Sequence, residues 1–69
     1  MDYNYSKLKG KIREVYETQR SFAEDMGISD VTMSMKLNNK SEWTQVEMEL
    51  AMELLGISRT KVKEYFFAH

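Results

Sequence analysis

Apolar residues recur at steps of three and four along the chain, with polar and charged residues between them. This spacing places the apolar side chains on one face of an α-helix. Glycine occurs at three positions and proline at none, so few residues interrupt the pattern. The pattern predicts an all-α fold, a compact domain of four to five helices. The predicted helices lie at residues 5–16, 18–26, 30–38, 45–55 and 59–66.

Each predicted helix has an apolar stripe that we expect to face the core. In chain order, the stripe residues are Leu8, Ile12 and Val15 or Tyr16; Phe22, Ala23 and Met26; Met33 and Leu37; Met48, Leu50, Ala51, Leu54 and Leu55; and Val62, Tyr65 and Phe66. Met35 lies on the side of its helix away from Met33 and Leu37, so we expect Met35 at the surface.

The predicted helix ends carry capping signals. Thr44 and Glu47 have the spacing of a capping box, in which each side chain accepts a hydrogen bond from the other residue's backbone. Thr18 is a further expected N-cap. The segments 26–29 and 55–58 both read apolar, Gly, Ile, Ser, so glycine can end one helix and serine can cap the next.

Composition excludes several classes of protein. The chain has no cysteine, and its one histidine is His69, which argues against disulfide frameworks, zinc–thiolate sites and histidine catalysis. The sequence also contains no glycine-rich phosphate loop, no signal peptide pattern and no apolar run that would span a membrane. We therefore expect a cytoplasmic protein that is not an enzyme and uses no cofactor and no metal.

Charge is nearly balanced overall but unevenly distributed. Ten Lys and Arg residues against eleven Asp and Glu give a net charge of -1, whereas nucleic-acid-binding domains are usually basic. Residues 1–23 contain five basic and three acidic residues, while residues 41–55 contain four glutamates and no Lys or Arg. A contact with DNA would therefore have to use one face of the domain.

Residues 18–38 have the features of a helix-turn-helix. Gly27 provides the turn between two short helices, and Ala23 is a small residue in the first helix that allows close packing. Ile28 and Met33 are expected to fill the angle between the helices. The predicted organisation is a single helix-turn-helix domain over residues 1–69, with the motif at 18–38 and C-terminal helices at 45–66.

Several residues of this segment match a known family pattern. They are Thr18, Gln19, Phe22, Ala23, residues 26–29, Met33 and residues 37–40. With these residues the segment resembles the helix-turn-helix of the phage repressor and Cro family, also called the XRE family. One departure is Lys36, where the family usually has an apolar residue; apolar Leu37 follows one place later. The resemblance implies a phage or prophage transcriptional regulator, a Cro-like repressor that binds double-stranded operator DNA as a homodimer.

The resemblance also implies which residues contact DNA, because it places helix 30–38 in the major groove. The residues expected at base edges are Asp30, Val31, Ser34 and Met35. The residues expected at the phosphate backbone are Gln19, Arg20, Lys36, Asn38, Asn39 and Lys40. None of the four base-edge residues is an Arg, Asn or Gln that could make a bidentate base contact. Asp30 also suits the positive start of a helix in any protein, and residues 38–40 also suit an ordinary helix stop.

An alternative function keeps the fold and changes the partner. In it, the protein is an antirepressor or modulator whose helix-turn-helix surface binds another regulator, such as a repressor protein. The net charge, the carboxylate of Asp30 and the apolar Val31 and Met35 favour this alternative, because a protein interface uses apolar anchors rather than a basic track.

The C-terminal segment is aromatic and suggests an interface of its own. Tyr65, Phe66 and Phe67 fall within the last five residues. We expect one or two of these rings to close the core and the remainder to contact a second copy or another partner.

Overall fold

A computed structural model describes residues 2–69. These residues form five α-helices and no strand, so the all-α prediction is confirmed. The helices are α1 Ser6–Tyr16, α2 Gln19–Met26, α3 Asp30–Leu37, α4 Gln45–Leu55 and α5 Val62–Phe66, and a 3-10 turn at Arg59–Lys61 precedes α5. The predicted bounds of α1 to α4 differ from these by at most one residue. Residues 59–61 differ in type, because they form a 3-10 turn rather than α-helix.

Local capping fixes the helix ends. At the start of α4 the Glu47 N–H donates to Thr44 Oγ1 over 3.1 Å, and the Thr44 N–H donates to Glu47 Oε1 over 2.9 Å. Gly27 and Gly56 follow α2 and α4 with φ of 77° and 68°, the left-handed conformation that glycine adopts without steric cost. The other predicted caps also accept backbone hydrogen bonds, and they are Thr18, Ser29 and Ser58. The predictions for these four caps are therefore confirmed, whereas Asn4, which we expected to cap the first helix, lies one residue before its N-cap position Tyr5 and accepts from the Ser6 N–H over 2.9 Å.

The core forms where α1, α2, α4 and α5 meet, and α3 packs chiefly on α2. The largest fully buried side chains are Leu8, Phe22, Met33 and Phe66. Of the two alternatives at the end of α1, Tyr16 is the residue that packs inward. Its ring centroid lies 5.3 Å from that of Phe22, whereas Val15 is 46% exposed.

Helix α4 carries apolar residues on more than one face. Its buried positions are Ala51, Met52 and Leu55. Leu50 and Leu54, which we expected in the core, are only half-buried at its edge, and Met52 was not among the expected core residues. The sequence of α4 is apolar over too wide an arc for its periodicity to select one inward face.

The N-terminal segment contacts the last residues of the chain. The Asn4 N–H donates to the Ala68 carbonyl over 2.7 Å. The Tyr3 ring packs edge-on against Phe67 with centroids 5.5 Å apart, and Tyr5 is buried in the core. None of the helices in residues 2–69 is long and apolar enough to span a membrane.

Candidate functional site

The outer face of α3 is the candidate site. Ser29 caps the helix and the Gly27 turn orients it on α2, so the apolar Met33 and Leu37 point inward. The opposite side of α3 faces solvent and forms the wall of an open depression of about 410 Å³. The residues lining this depression are Asp30, Val31, Ser34, Met35, Asn38 and Lys40. The structure thus brings together all four residues expected at base edges.

This α3 face is apolar at its centre. Val31 is 71% exposed and Met35 is 43% exposed. Neither side chain supports the core, and no Arg, Asn or Gln stands between them. Adjacent exposed apolar side chains of this size are typical of a surface that binds another protein.

Gln19 and Asp30 bind each other at the edge of the α3 face. The Gln19 Nε2 group donates to Asp30 Oδ1 over 3.1 Å, and this contact joins the start of α2 to the start of α3. From the sequence we expected Gln19 to contact the phosphate backbone and Asp30 to contact a base edge. The hydrogen bond holds the Asp30 carboxylate at the edge of the α3 face, where its negative charge would repel a nearby phosphate.

Lys36 requires a correction, because it is not available for a phosphate contact. The residue is only 5% exposed. Its ammonium donates to the Glu42 carbonyl and to Glu47 Oε1, each over 2.8 Å, and it lies 5.9 Å from the centroid of the Trp43 ring. The charged group therefore joins α3 to the start of α4 inside the protein. The departure from the family pattern at this position was the sequence signal for such a role.

The side chains of Asn38 and Asn39 also form hydrogen bonds within the protein. Asn38 Nδ2 donates to the Ser34 carbonyl over 2.8 Å. Asn39 Nδ2 donates to the Tyr3 carbonyl over 2.8 Å, and the Tyr3 N–H donates to Asn39 Oδ1 over 3.0 Å. Of the six expected backbone-contacting residues, Arg20 and Lys40 are exposed cations with no ion pair among residues 2–69.

Asn39 is expected to stabilise the fold by fastening the N-terminal segment to the end of α3. It adopts a φ of 61°, a conformation that asparagine and glycine tolerate best. Replacing Asn39 by Ala removes both hydrogen bonds to Tyr3 and adds backbone strain, so we expect a loss of about 2 kcal/mol in the free energy of unfolding. Asn39→Gly removes only the hydrogen bonds and should lose about half as much. Urea denaturation measures both, and equal stability of all three proteins would contradict this role.

The three C-terminal aromatic residues occupy different environments. Phe66 is 1% exposed, and its ring centroid lies 5.0 Å from that of Trp43. Phe66 is therefore a core residue, which confirms its place in the predicted apolar stripe and removes it from the rings expected to contact a second copy or another partner. Tyr65 is half-buried beside Lys7, and Phe67 is 40% exposed. Of these rings, Phe67 presents the most surface to a partner.

Glu47 has an unusual electrostatic environment for a half-buried carboxylate. Burial alone raises its pKa, but hydrogen bonds from the Lys36 ammonium and from the Thr44 backbone favour the ionised form. The net result is a pKa for Glu47 below the ordinary glutamate value.

Acid is therefore expected to weaken the fold through Glu47. Because its pKa is lower in the folded protein than in the unfolded chain, its contribution is present above the unfolded value and is lost as the pH falls through the folded value. We expect the free energy of unfolding to fall between about pH 5 and pH 3. Glu47→Gln should flatten this decline in chemical denaturation, because glutamine does not titrate. The variant keeps the helix start, since glutamine also completes a capping box. An unchanged decline in that variant would assign the acid sensitivity to other groups.

Among residues 2–69 no group of His, Cys, Asp and Glu side chains is arranged to hold a metal ion.

Comparison with known proteins places these features in a phage regulatory context. No protein with a curated description matches the chain in sequence. Among solved structures, the fold superposes with a TM-score of 0.84 on the solution structure of the modulator of repression of the temperate bacteriophage TP901-1 from Lactococcus lactis. The two chains are 43% identical, and the match covers 97% of this chain and 90% of the modulator.

The family match does not carry the name of the repressor and Cro family, and it does not contradict the resemblance to that family. That resemblance was to the repressor and Cro family, and its phage-regulator part agrees with the structural match. A family profile described as "Protein of unknown function (DUF739)" matches residues 1–69. The chain belongs to the DUF739 family, and it is similar to a phage modulator of repression.

Proposed function

We propose that this protein modulates a transcriptional regulator by binding it directly, and that the α3 face is the binding surface. The observation that carries this proposal is the exposed apolar pair Val31 and Met35 at the centre of that face. Such side chains lose contact with water when a protein partner covers them, which favours association. The structural relative is a modulator of repression, which supports the same class of function.

The electrostatics of the α3 face favour a protein partner over operator DNA. Lys36, expected to contact phosphate, is buried in an ion pair. Asp30 is held at the edge of the face by Gln19. Of the three cations assigned to phosphate contacts, only Arg20 and Lys40 remain exposed, which is few for a face that binds DNA mainly through phosphate contacts. The alternative function from the sequence analysis is thus preferred over the Cro-like repressor.

The proposal includes the organisation expected from the sequence. We take residues 1–69 to be a single helix-turn-helix domain of a phage or prophage protein that acts in the cytoplasm. In it, α2 and α3 serve to display a protein-binding helix. One copy presents the complete α3 face, so the homodimer expected from the Cro resemblance is not needed for this function.

The test uses a purified repressor from the genome that encodes this chain, bound to its labelled operator duplex. Adding the chain is expected to change the apparent affinity of that repressor for its operator by at least about tenfold. The chain alone, mixed with a labelled duplex at about 50 mM and about 200 mM salt, is expected to show no steep salt-dependent binding. Tight binding of the chain to DNA at low salt, without any effect on the repressor, would favour the operator-binding function instead.

A further inference from the structure

A second exposed apolar surface lies on α4, on residues that do not belong to the α3 face. Two adjoining depressions, of about 450 Å³ and about 370 Å³, run between α4 and the segment that contains the 3-10 turn and α5. They share Glu49, Met52 and Arg59. We call this continuous surface the α4–α5 groove.

The α4–α5 groove exposes apolar side chains that the core does not need. Val46 is 73% exposed and Phe67 is 40% exposed. Leu50, one turn after Val46, is half-buried in the same wall, and Val62 is half-buried in the opposite wall. Val46 and Leu50 therefore continue an apolar stripe from the edge of the core onto the surface. This is the additional apolar arc that made the inward face of α4 ambiguous in the sequence.

The charged residues that line the groove indicate which kind of partner it would bind. Glu49 and Glu53 line it from α4, and residues 41–55 contain no Lys or Arg. Arg59 is the cation of the groove, but it lies 3.7 Å from Glu49 and is 81% exposed, so that ion pair is weak. The wall formed by α4 thus remains acidic, which repels DNA and attracts basic groups.

We propose that the α4–α5 groove is a second docking surface, occupied by an amphipathic helix of a partner protein whose apolar stripe is flanked by Lys or Arg. A helix can lie in a groove of this kind and anchor through residues three or four apart. Its basic flank would face Glu49 and Glu53. A second copy of this chain is disfavoured as the occupant. In a two-fold dimer through this surface, the α4 glutamates of one copy would face those of the other and repel them. This inference is independent of the function proposed for the α3 face.

The experiment titrates the isotope-labelled full chain with a helix-stabilised peptide of about four turns that has Leu at every third or fourth position and Lys beside them. The control peptide replaces every Lys by Glu. We expect the Lys peptide to shift the amide signals of Val46, Leu50 and Phe67 and to bind at least about tenfold more tightly than the Glu peptide. In a variant carrying Glu49→Lys and Glu53→Lys, the preference between the two peptides should reverse.

Matched variants separate this inference from the proposed function. Val46→Ser should weaken binding of the Lys peptide, and Val31→Asp on the α3 face should leave binding of that peptide unchanged. The inference is overturned if the two peptides bind equally, if no signal moves up to about 1 mM peptide, or if the shifts are confined to α3. Concentration-dependent shifts at Val46 and Phe67 without peptide would also overturn it, by showing a second copy in the groove.

Discussion

Replacing Lys36 by Ala is expected to lower the free energy of unfolding by about 3 kcal/mol, the low end for breaking a buried ion pair. The Lys36 side chain is 6% exposed and lies 2.8 Å from Glu47 Oε1. Alanine leaves the Glu47 carboxylate and the Glu42 carbonyl without this donor, and it removes the cation beside the ring of Trp43. Urea denaturation followed by the fluorescence of Trp43, the single tryptophan, measures the loss.

Two controls show whether the ion pair itself or the burial of its side chains determines the loss in the free energy of unfolding. Lys36→Met combined with Glu47→Gln replaces both charges by neutral groups of similar size, and we expect a loss of less than about 1.5 kcal/mol. Lys7→Ala removes an ion pair of 2.7 Å to Glu64 in which both side chains are at least half exposed. Because solvent screens such a pair, no measurable loss is expected. If Lys36→Ala cost no more than Lys7→Ala, the buried pair would not stabilise the fold.

Replacing Val31 by Asp is expected to weaken binding of the regulator by about 30-fold, or about 2 kcal/mol, if the α3 face is the interface. The substitution places a charge where an apolar side chain would be covered, and an unpaired charge is costly to desolvate. Val31 is 71% exposed in the free protein, so the fold should be unaffected. Titration calorimetry with the purified repressor measures the affinity, and a thermal melt checks the fold.

The chain offers a closely matched control for this prediction. Val46 is 73% exposed, and it is the second residue of α4 just as Val31 is the second residue of α3. An aspartate in the first turn of a helix has the same favourable interaction with the helix dipole at both positions. Because the regulator is proposed to bind the α3 face and a different partner protein the α4–α5 groove, Val46→Asp should leave the affinity of the regulator within about twofold of the original. Equal losses in the two variants would show that the effect is not specific to the α3 face.

Much of the fold followed from residues close together in the chain. The capping box of Thr44 and Glu47, the serine caps and the left-handed Gly27 and Gly56 all depend on contacts within one helical turn. Such contacts can be read from spacing alone, because the geometry of a helix end is the same in every protein. The clustering of Val31 and Met35 is equally local, since residues four apart share a helix face.

The roles of Lys36, Asn39 and Phe66 required distant partners. Lys36 binds Glu47, 11 residues away, and Asn39 binds Tyr3, 36 residues away. Phe66 is buried against Trp43 of another part of the chain. From the sequence we assigned Lys36 and Asn39 to surface contacts, because a lysine and an asparagine after a helix are both compatible with an exposed position. For Phe66 the sequence left open whether the ring closes the core or contacts a partner.

The sequence by itself determined the bounds of α1 to α4 to within one residue, the caps at the starts of α2, α3 and α4, and the exposed residues of α3. The tertiary structure alone decided which polar side chains remain available to a partner, and which arc of α4 faces the core. The physical reason is that a helix end needs only its own neighbouring residues, whereas the burial of an ammonium or a ring depends on which other helix packs over it. For this protein that distinction bears directly on function, since burial of Lys36 removes a cation from the face that a DNA-binding protein would need.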